Sequence, residues 1–244
     1  MSIHEGARAF ALTADAYERA RPTYPAEAID WALASAPLSS GDTVVDLAAG
    51  TGKLTSLLVA RGLDVIAVEP VAEMRAVLQA KVGPADVRKG TAEAIPVTDR
   101  TAAAVTVAQA FHWFEPDRAL PEIARVLTGD GVLLIFTNVR DKTDELQGEL
   151  EKLTSPYRGR YPNPKWDERL SDNALFEPEL RTFPHEQLLD RETFVERIAS
   201  ISWIASLPAD VRTRVLAATA ALAASREEPI RLPYVTQVFA CRRR

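Results

Sequence analysis

Apolar residues along this chain recur with two periods, and the switching between them lays out the elements. Val44 and Val45 are β-branched and lead into the small-residue run 46–52, after which Leu54, Leu57 and Leu58 repeat with a helical period. That is a strand, a tight turn and a helix start, the opening of a βαβ unit. The helix is expected to run about ten residues to Arg61-Gly62, with Gly62 as C-cap. Leu63 to Val68 (LDVIAV) predicts a second strand ending at Glu69-Pro70, and Val71, Met74, Val77 and Leu78 predict a helix over 71–80. A short strand is expected around 85–89 and another over 103–108 (AAVTVA), followed by the aromatic knot Phe111-His112-Trp113-Phe114. Leu120, Ile123, Ala124 and Leu127 put one apolar face on a helix over 117–127, which Pro121 should kink or shorten in its first turn. Val132 to Phe136 is the most strand-like run of all.

Upstream, residues 1–40 form a lead-in. Phe10, Tyr17 and Tyr24 are spaced at seven, and a helix over 26–34 is ended by Pro37, Ser39, Ser40 and Gly41. Past residue 140 the alternation weakens. A helix over 144–153, a Pro-rich aromatic loop or lid over 155–166, a strand within 180–189, helices over 193–206 and 208–224, and a closing strand over 234–240 are expected. Five strands alternating with helices imply a parallel sheet covered on both faces. With no linker in view, one α/β domain carrying an insertion is expected: a lead-in over 1–40, a ligand-binding half over 41–140 and a substrate-side part over 141–244.

Composition narrows the function classes. A formal charge of −5 gives no general attraction to nucleic acid, and the basic cluster Arg242-Arg243-Arg244 reads as a solvated tail. One cysteine, Cys241, excludes an intrachain disulfide and a Cys-rich zinc site, and His4, His112 and His185 show no metal-ligand spacing, so no metal is expected. Met1 to Glu5 lacks a secretory pattern and no apolar run has the length of a membrane span, so a reducing cytoplasm and no membrane partner are expected.

The loop Asp46-Leu47-Ala48-Ala49-Gly50-Thr51-Gly52-Lys53 is either a plain connection or a ligand turn. Glycines there let backbone approach a ligand, and the following helix start offers N–H groups. A phosphate loop, G-x-x-x-x-G-K-[ST], fails twice, because Leu47 stands at its first Gly and Leu54 at the Ser/Thr. A dinucleotide fingerprint, G-x-G-x-x-G/A, fails because its positions read Ala48, Gly50 and Lys53.

Residues 46–52 resemble the D-x-G-x-G-x-G loop of class I S-adenosylmethionine-dependent methyltransferases, with Ala48 in the first Gly place. Gly90-Thr91-Ala92-Glu93-Ala94-Ile95-Pro96 is similar to that family's G-D-A-E-x-L-P segment, with Thr91 for Asp. Glu122-Ile123-Ala124-Arg125-Val126-Leu127 with Gly129 and Gly131 is similar to its E-x-x-R-V-L-x-x-G-G, although Asp130 parts the glycines. Tyr17 to Pro25 resembles the Y-x-x-x-R-P-x-Y-P lead-in of the type 11 members related to trans-aconitate methyltransferase. The resemblance covers roughly residues 10–140.

The resemblance implies a Rossmann-like, seven-stranded, mostly parallel sheet with helices on both faces and S-adenosylmethionine as cofactor. It places Asp46, Ala48, Ala49, Gly50 and Gly52 at the cofactor, with Glu69 and Pro70 at the ribose and Met74, Thr91, Ala92 and Glu93 around the adenine. Gln109 falls at the methionine end, and Arg21 and Tyr17 close over the cofactor, Arg21 facing its carboxylate. A carboxylate such as Glu69 suits a ribose because it accepts two hydroxyl bonds at once.

Methyl transfer is an in-line displacement, so alignment and exclusion of water matter most. A carboxylate or thiolate acceptor needs no base, whereas a hydroxyl does. His112 is the candidate base, or else a side chain that bonds backbone within an aromatic wall. Tyr24, His112, Trp113, Tyr157, Arg158 and Tyr161 are the candidate substrate contacts, the arginines of the 157–161 loop gripping a carboxylate or simply standing in solvent. The expected substrate is a small molecule. The competing class is a module that binds S-adenosylmethionine or S-adenosylhomocysteine without transfer. Oligomeric state leaves no trace in the sequence.

Overall fold

The computed structural model describes residues 20–36, 38–83, 85–158, 170 and 172–244. They fall in two compact units. Of the described residues, the larger comprises those within 23–138, 170–183 and 236–244, and the smaller those within 20–22, 139–158 and 184–235.

The larger unit is built on strand β1 (Thr43–Leu47), flanked by β2 (Asp64–Val68) and β4 (Ala102–Ala108). Both neighbours run parallel to it, Val45 lying level with Ile66 on one side and Val105 on the other. β3 (Asp86–Arg88), β5 (Leu127–Arg140), β6 (Phe176–Leu189) and β7 (Ile230–Arg243) complete a seven-stranded mixed sheet in the order β3-β2-β1-β4-β5-β7-β6. The order reverses between β1 and β4. In an open α/β sheet that switch point leaves a crevice at the carboxyl ends of the strands, where ligands bind.

Consecutive strand residues face opposite sides, and each side is covered. Val45, Leu47, Val105, Leu133 and Ile135 pack with Leu120 and Ile123 of α4 (Pro116–Val126). Val44, Ala104, Leu134 and Phe136 pack with Ile29 of α1 (Ala26–Ala34) and Leu54 and Leu58 of α2 (Lys53–Val59). Each fully buried Leu, Ile or Phe contributes about 1.5–3 kcal/mol, so this two-sided burial sets the register. α3 (Ala72–Lys81) follows β2, and among the described residues the β3–β4 connection carries no helix.

The smaller unit gathers α5 (Glu145–Thr154), α6 (Arg191–Ala199), α7 (Ser202–Ala205) and α8 (Ala209–Ala224). Its core is Leu146, Leu150, Phe194, Ile198, Ile204, Val215 and Ala223, with Ile230, Leu232 and Tyr234 from the first half of β7. None of the described helices is long and apolar enough to cross a membrane.

Several boundaries differ from the sequence pattern. α2 has seven residues rather than about ten. α4 runs through Pro121 without being shortened, since Leu120, Ile123 and Ala124 are buried on the core side. The helix expected over 193–206 divides at Ile201, whose backbone is extended and starts α7. β6 begins at Phe176 and β7 at Ile230, both earlier than the pattern implies. The expected 155–166 loop lies mostly outside the described residues.

Candidate functional site

Three residues of the turn after β1 adopt left-handed backbone: Ala48 (φ 53°), Gly50 (φ 59°) and Gly52 (φ 85°). The two glycines do different work. A Cβ on Gly52 would lie 2.4 Å from Leu78 Cδ1 and 3.0 Å from Val82 Cγ2, so this glycine lets α3 pack against the turn. A Cβ on Gly50 would meet nothing within 4 Å. The open side of the loop is therefore at Gly50, and Gly52 serves the core. Ala48 holds a conformation that costs an L-residue roughly 1–2 kcal/mol. The turn is tied down by Gly52 N donating to Ala49 O (2.9 Å) and Ala49 N donating to Val68 O (3.2 Å).

Asp46, one residue before the end of β1, is completely buried. Its Oδ2 accepts from Thr55 Oγ1 of α2 (2.6 Å) and its Oδ1 from Thr106 Oγ1 of β4 (2.8 Å). One carboxylate thus joins the central strand, the strand across the switch point and the helix after the loop. Burial pushes its pKa up to about 6, and the two threonine bonds work in the opposite direction. Thr55 and Thr106 were not legible as partners from sequence, because a buried threonine on a strand or helix is common.

Glu69 follows β2 and is 5% exposed. Its Oε2 accepts from Gly50 N (2.9 Å) and its Oε1 from Val71 N (2.8 Å), while its carbonyl accepts from Arg75 Nη1 (2.8 Å). Burial raises its pKa, partly offset by the Val71 and Gly50 amides. Pro70 is half-buried beside it, and Met74 on α3 is buried.

The 90–97 segment stands next along the sheet edge. Thr91 Oγ1 is buried with no hydrogen-bond partner, and Ala92 beside it is buried. Glu93 Oε1 accepts from Glu115 N (3.1 Å). The segment is clasped from α4. Glu122 Oε2 accepts from Ile95 N (3.0 Å), and Arg125 donates to Ile95 O (3.0 Å), Val97 O (2.8 Å) and Asp99 (2.7 Å) while bridging to Glu122 (2.8 Å). The guanidinium of Arg125 holds the Glu122 carboxyl below the usual carboxylate range. The E-x-x-R pattern is thus a structural clasp on this loop. A cavity of about 510 Å³ opens beside it, lined by Ile66, Arg88, Pro96, Thr101 and Arg125 among others.

Gln109 follows β4 with left-handed backbone (φ 56°). Its N–H donates to Phe136 O (2.9 Å) and its side-chain amide to Asn138 O (3.2 Å). Asn138 in turn donates to Thr23 O (3.0 Å) and accepts from Thr236 Oγ1 (2.6 Å), a linkage the sequence did not announce. His112 and Trp113 are half-buried, their rings 4.6 Å apart, and Phe111 contacts Phe114 at 5.5 Å. Tyr24 is buried edge-on against Phe136 (5.5 Å, 61°), inside the core of the larger unit.

The larger unit therefore brings Asp46, the 48–52 turn, Glu69, Met74, 91–93 and Gln109 to the carboxyl ends of β1, β2, β3 and β4. In the smaller unit, Arg21 donates to Ser200 O (2.6 Å) and Gln187 to Ala20 O (2.9 Å). Arg158 donates to both oxygens of Glu151 (3.0 and 3.1 Å), and Tyr157 is exposed. Tyr17 and Tyr161 lie outside the described residues. Among the described residues no cluster of His, Cys, Asp or Glu forms a metal site.

Residues 45–135 match the family model described as a methyltransferase domain. Over 232 residues the chain is 40% identical to an uncharacterized methyltransferase of Mycobacterium bovis, covering 93% of this chain and 92% of that one. Among solved structures, a candidate type II methyltransferase of Anaeromyxobacter dehalogenans is similar with a TM-score of 0.64 at 23% identity, over 91% of this chain and 97% of that one. A phosphoethanolamine N-methyltransferase of Haemonchus contortus, solved with S-adenosylhomocysteine, is similar with a TM-score of 0.59 at 15% identity, over 99% of this chain and 60% of that one.

Proposed function

The chain belongs to the methyltransferase-domain family, and from that premise we propose that it transfers the methyl group of S-adenosylmethionine to a small-molecule acceptor. The observation that carries the reading is the Glu69–Gly50 pair, a buried carboxylate bonded to the turn glycine whose missing Cβ would meet nothing within 4 Å.

Residues of the larger unit fit such a cofactor. Each Glu69 oxygen accepts one backbone N–H, and a carboxylate oxygen has two lone pairs, so one acceptor position per oxygen remains for a ribose hydroxyl. Thr91 Oγ1 is buried and without a hydrogen-bond partner, and an adenine edge supplies what it lacks. Gly50 admits the ligand where a side chain would stand, and Ala48, Ala49 and Gly52 shape the turn around it. Pro70 and Met74 would offer apolar surface to the ribose and adenine, and Ala92 and Glu93 would join Thr91 at the adenine. Gln109 would then mark the methionine end. That the Haemonchus neighbour was solved with S-adenosylhomocysteine supports this choice of nucleoside.

When bound, the cofactor supplies an electrophilic methyl group on a sulfonium. Asp46 keeps the turn rigid by holding Thr55 and Thr106, so the geometry is set before the ligand arrives. A carboxylate acceptor needs only alignment and exclusion of water. For a hydroxyl acceptor, His112 is the side chain proposed to take the proton, with Trp113 as part of the apolar wall.

Calorimetry with S-adenosylmethionine, S-adenosylhomocysteine and NADH tests the reading. Binding of the first two and none of the third is expected, with Glu69→Ala weakening both by about 1–3 kcal/mol. NADH binding alone, or unchanged affinity in the variant, would overturn it. Transfer is read by S-adenosylhomocysteine release with a panel of small acids and phenols. Binding without release across the panel favours a non-transferring module.

A further inference from the structure

Among its described residues, the smaller unit buries guanidinium donors that no hydrogen-bond partner satisfies. Arg197 on α6 is 6% exposed; its Nε donates to Tyr234 Oη (3.1 Å), and its guanidinium lies 5.8 Å from the Tyr234 ring centroid. Its Nη1 is buried and makes no hydrogen bond. Arg140, at the end of β5, also has a buried Nη1 without a hydrogen bond, its nearest carboxylate being Glu151 at 3.7 Å. That carboxylate is already held by Arg158, which donates to both of its oxygens and lies over the Trp203 ring at 5.8 Å. Arg197 and Arg158 thus disfavour the charge on Arg140, whereas Glu151 and the Tyr234 phenol favour it. Among the described residues, Arg140 and Arg158 share the one carboxylate of Glu151.

Such an arrangement is costly without a counter-charge. An uncompensated buried charge costs several kcal/mol, and a buried donor without an acceptor adds to that. A water molecule would satisfy the donors but would leave the charge excess. An anion does both, and the planar fork of Arg matches carboxylate and phosphate oxygens in particular. We propose that Arg140 and Arg197, with Tyr234, form a binding site for a ligand carrying a carboxylate or phosphate group. The anion site stands independently of the methyl-transfer reading.

The test uses the full chain at constant ionic strength, with succinate, inorganic phosphate and the neutral isostere succinamide as probes in calorimetry and thermal melts. At least one anion is expected to bind and to raise the melting temperature, and succinamide is not. Succinate against phosphate separates the two chemistries. Arg197→Gln and Arg140→Gln are each expected to weaken anion binding at least tenfold, Arg197→Lys by less, and the exposed Arg214→Gln not at all. Arg140→Met without ligand is expected to melt no lower than the wild type, because it removes a repelled charge. The proposal is overturned by the absence of anion binding, by equal binding to Arg140→Gln, or by a destabilised Arg140→Met chain. S-adenosylmethionine binding measured on the same samples keeps the two readings apart. If it persists while anions fail, only this site falls; if anions bind and it fails, only the methyl-transfer reading falls.

Discussion

The two units treat buried charge in opposite ways. In the larger, buried Asp46 has Thr55 and Thr106, buried Glu69 has two backbone amides, and even the part-exposed Arg125 has Glu122, Asp99 and two carbonyls. In the smaller, Arg140 and Arg197 keep buried donors without hydrogen-bond partners. The difference separates charge that shapes a site from charge held ready for a ligand. Cutting a paired group should therefore cost stability, and removing a surplus one should not.

The largest effect expected in the larger unit comes from Gly52→Ala. The new Cβ would collide with Leu78 Cδ1 at 2.4 Å while φ stays at 85°, so overpacking and left-handed strain add to roughly 2–4 kcal/mol in chemical denaturation. Gly50→Ala has no such neighbour and should cost about 1 kcal/mol in stability, yet lower S-adenosylmethionine affinity far more. If Gly52→Ala were the milder change to the fold, the division of labour between the two glycines would be wrong.

Asp46 gives a pH signature. Its folded pKa of about 6 lies above the unfolded value near 3.8, so between these the folded state binds more protons and stability falls as pH rises. The contribution is complete below about 4 and gone above about 6, a change on the order of 3 kcal/mol. Glu69 is shifted in the same direction. Urea midpoints from pH 4 to 7 should therefore decline less steeply in Asp46→Asn than in the wild type. Parallel profiles would mean that Asp46 is not the proton site.

How much could be read from residues alone follows the same division. The turn, Glu69 and Gln109 stood out in the sequence because each directly follows an apolar strand run, and the structure places them at the carboxyl ends of β1, β2 and β4. β6 was legible only in part: with Pro178 and Pro184, mostly exposed positions and a place at the sheet edge, it lacks the apolar alternation that betrays a half-buried strand. The arginine cluster left no pattern, since residues 140, 151, 158, 197 and 234 meet only through folding. The E-x-x-R run was visible as a motif, but its role as a clasp needed the backbone atoms of 95 and 97.

That clasp predicts an intermediate effect. Glu122→Ala leaves Ile95 N without its acceptor and removes one of the two carboxylates paired with Arg125; at a side-chain exposure of 26% the loss should be about 1–2 kcal/mol. Faster hydrogen exchange confined to the 91–98 amides would place the loss there. Uniformly faster exchange would assign Glu122 to the core instead.

The smallest expected effect is at Ala48, the residue by which the turn departs from the family loop. Its φ of 53° costs an alanine about 1–2 kcal/mol, whereas glycine adopts it freely. Glycine also has more freedom to lose on folding, roughly 0.5–1 kcal/mol. Ala48→Gly should thus stabilise the chain by only about 0.5 kcal/mol, while S-adenosylmethionine affinity stays the same or improves. Ala48 is half-buried and packs at the edge of the Val45–Leu47 core, so its methyl has a second role that works against the gain. A loss of stability in Ala48→Gly would show that this packing outweighs the strain, and that the turn is tuned by its neighbours rather than tolerated despite its backbone.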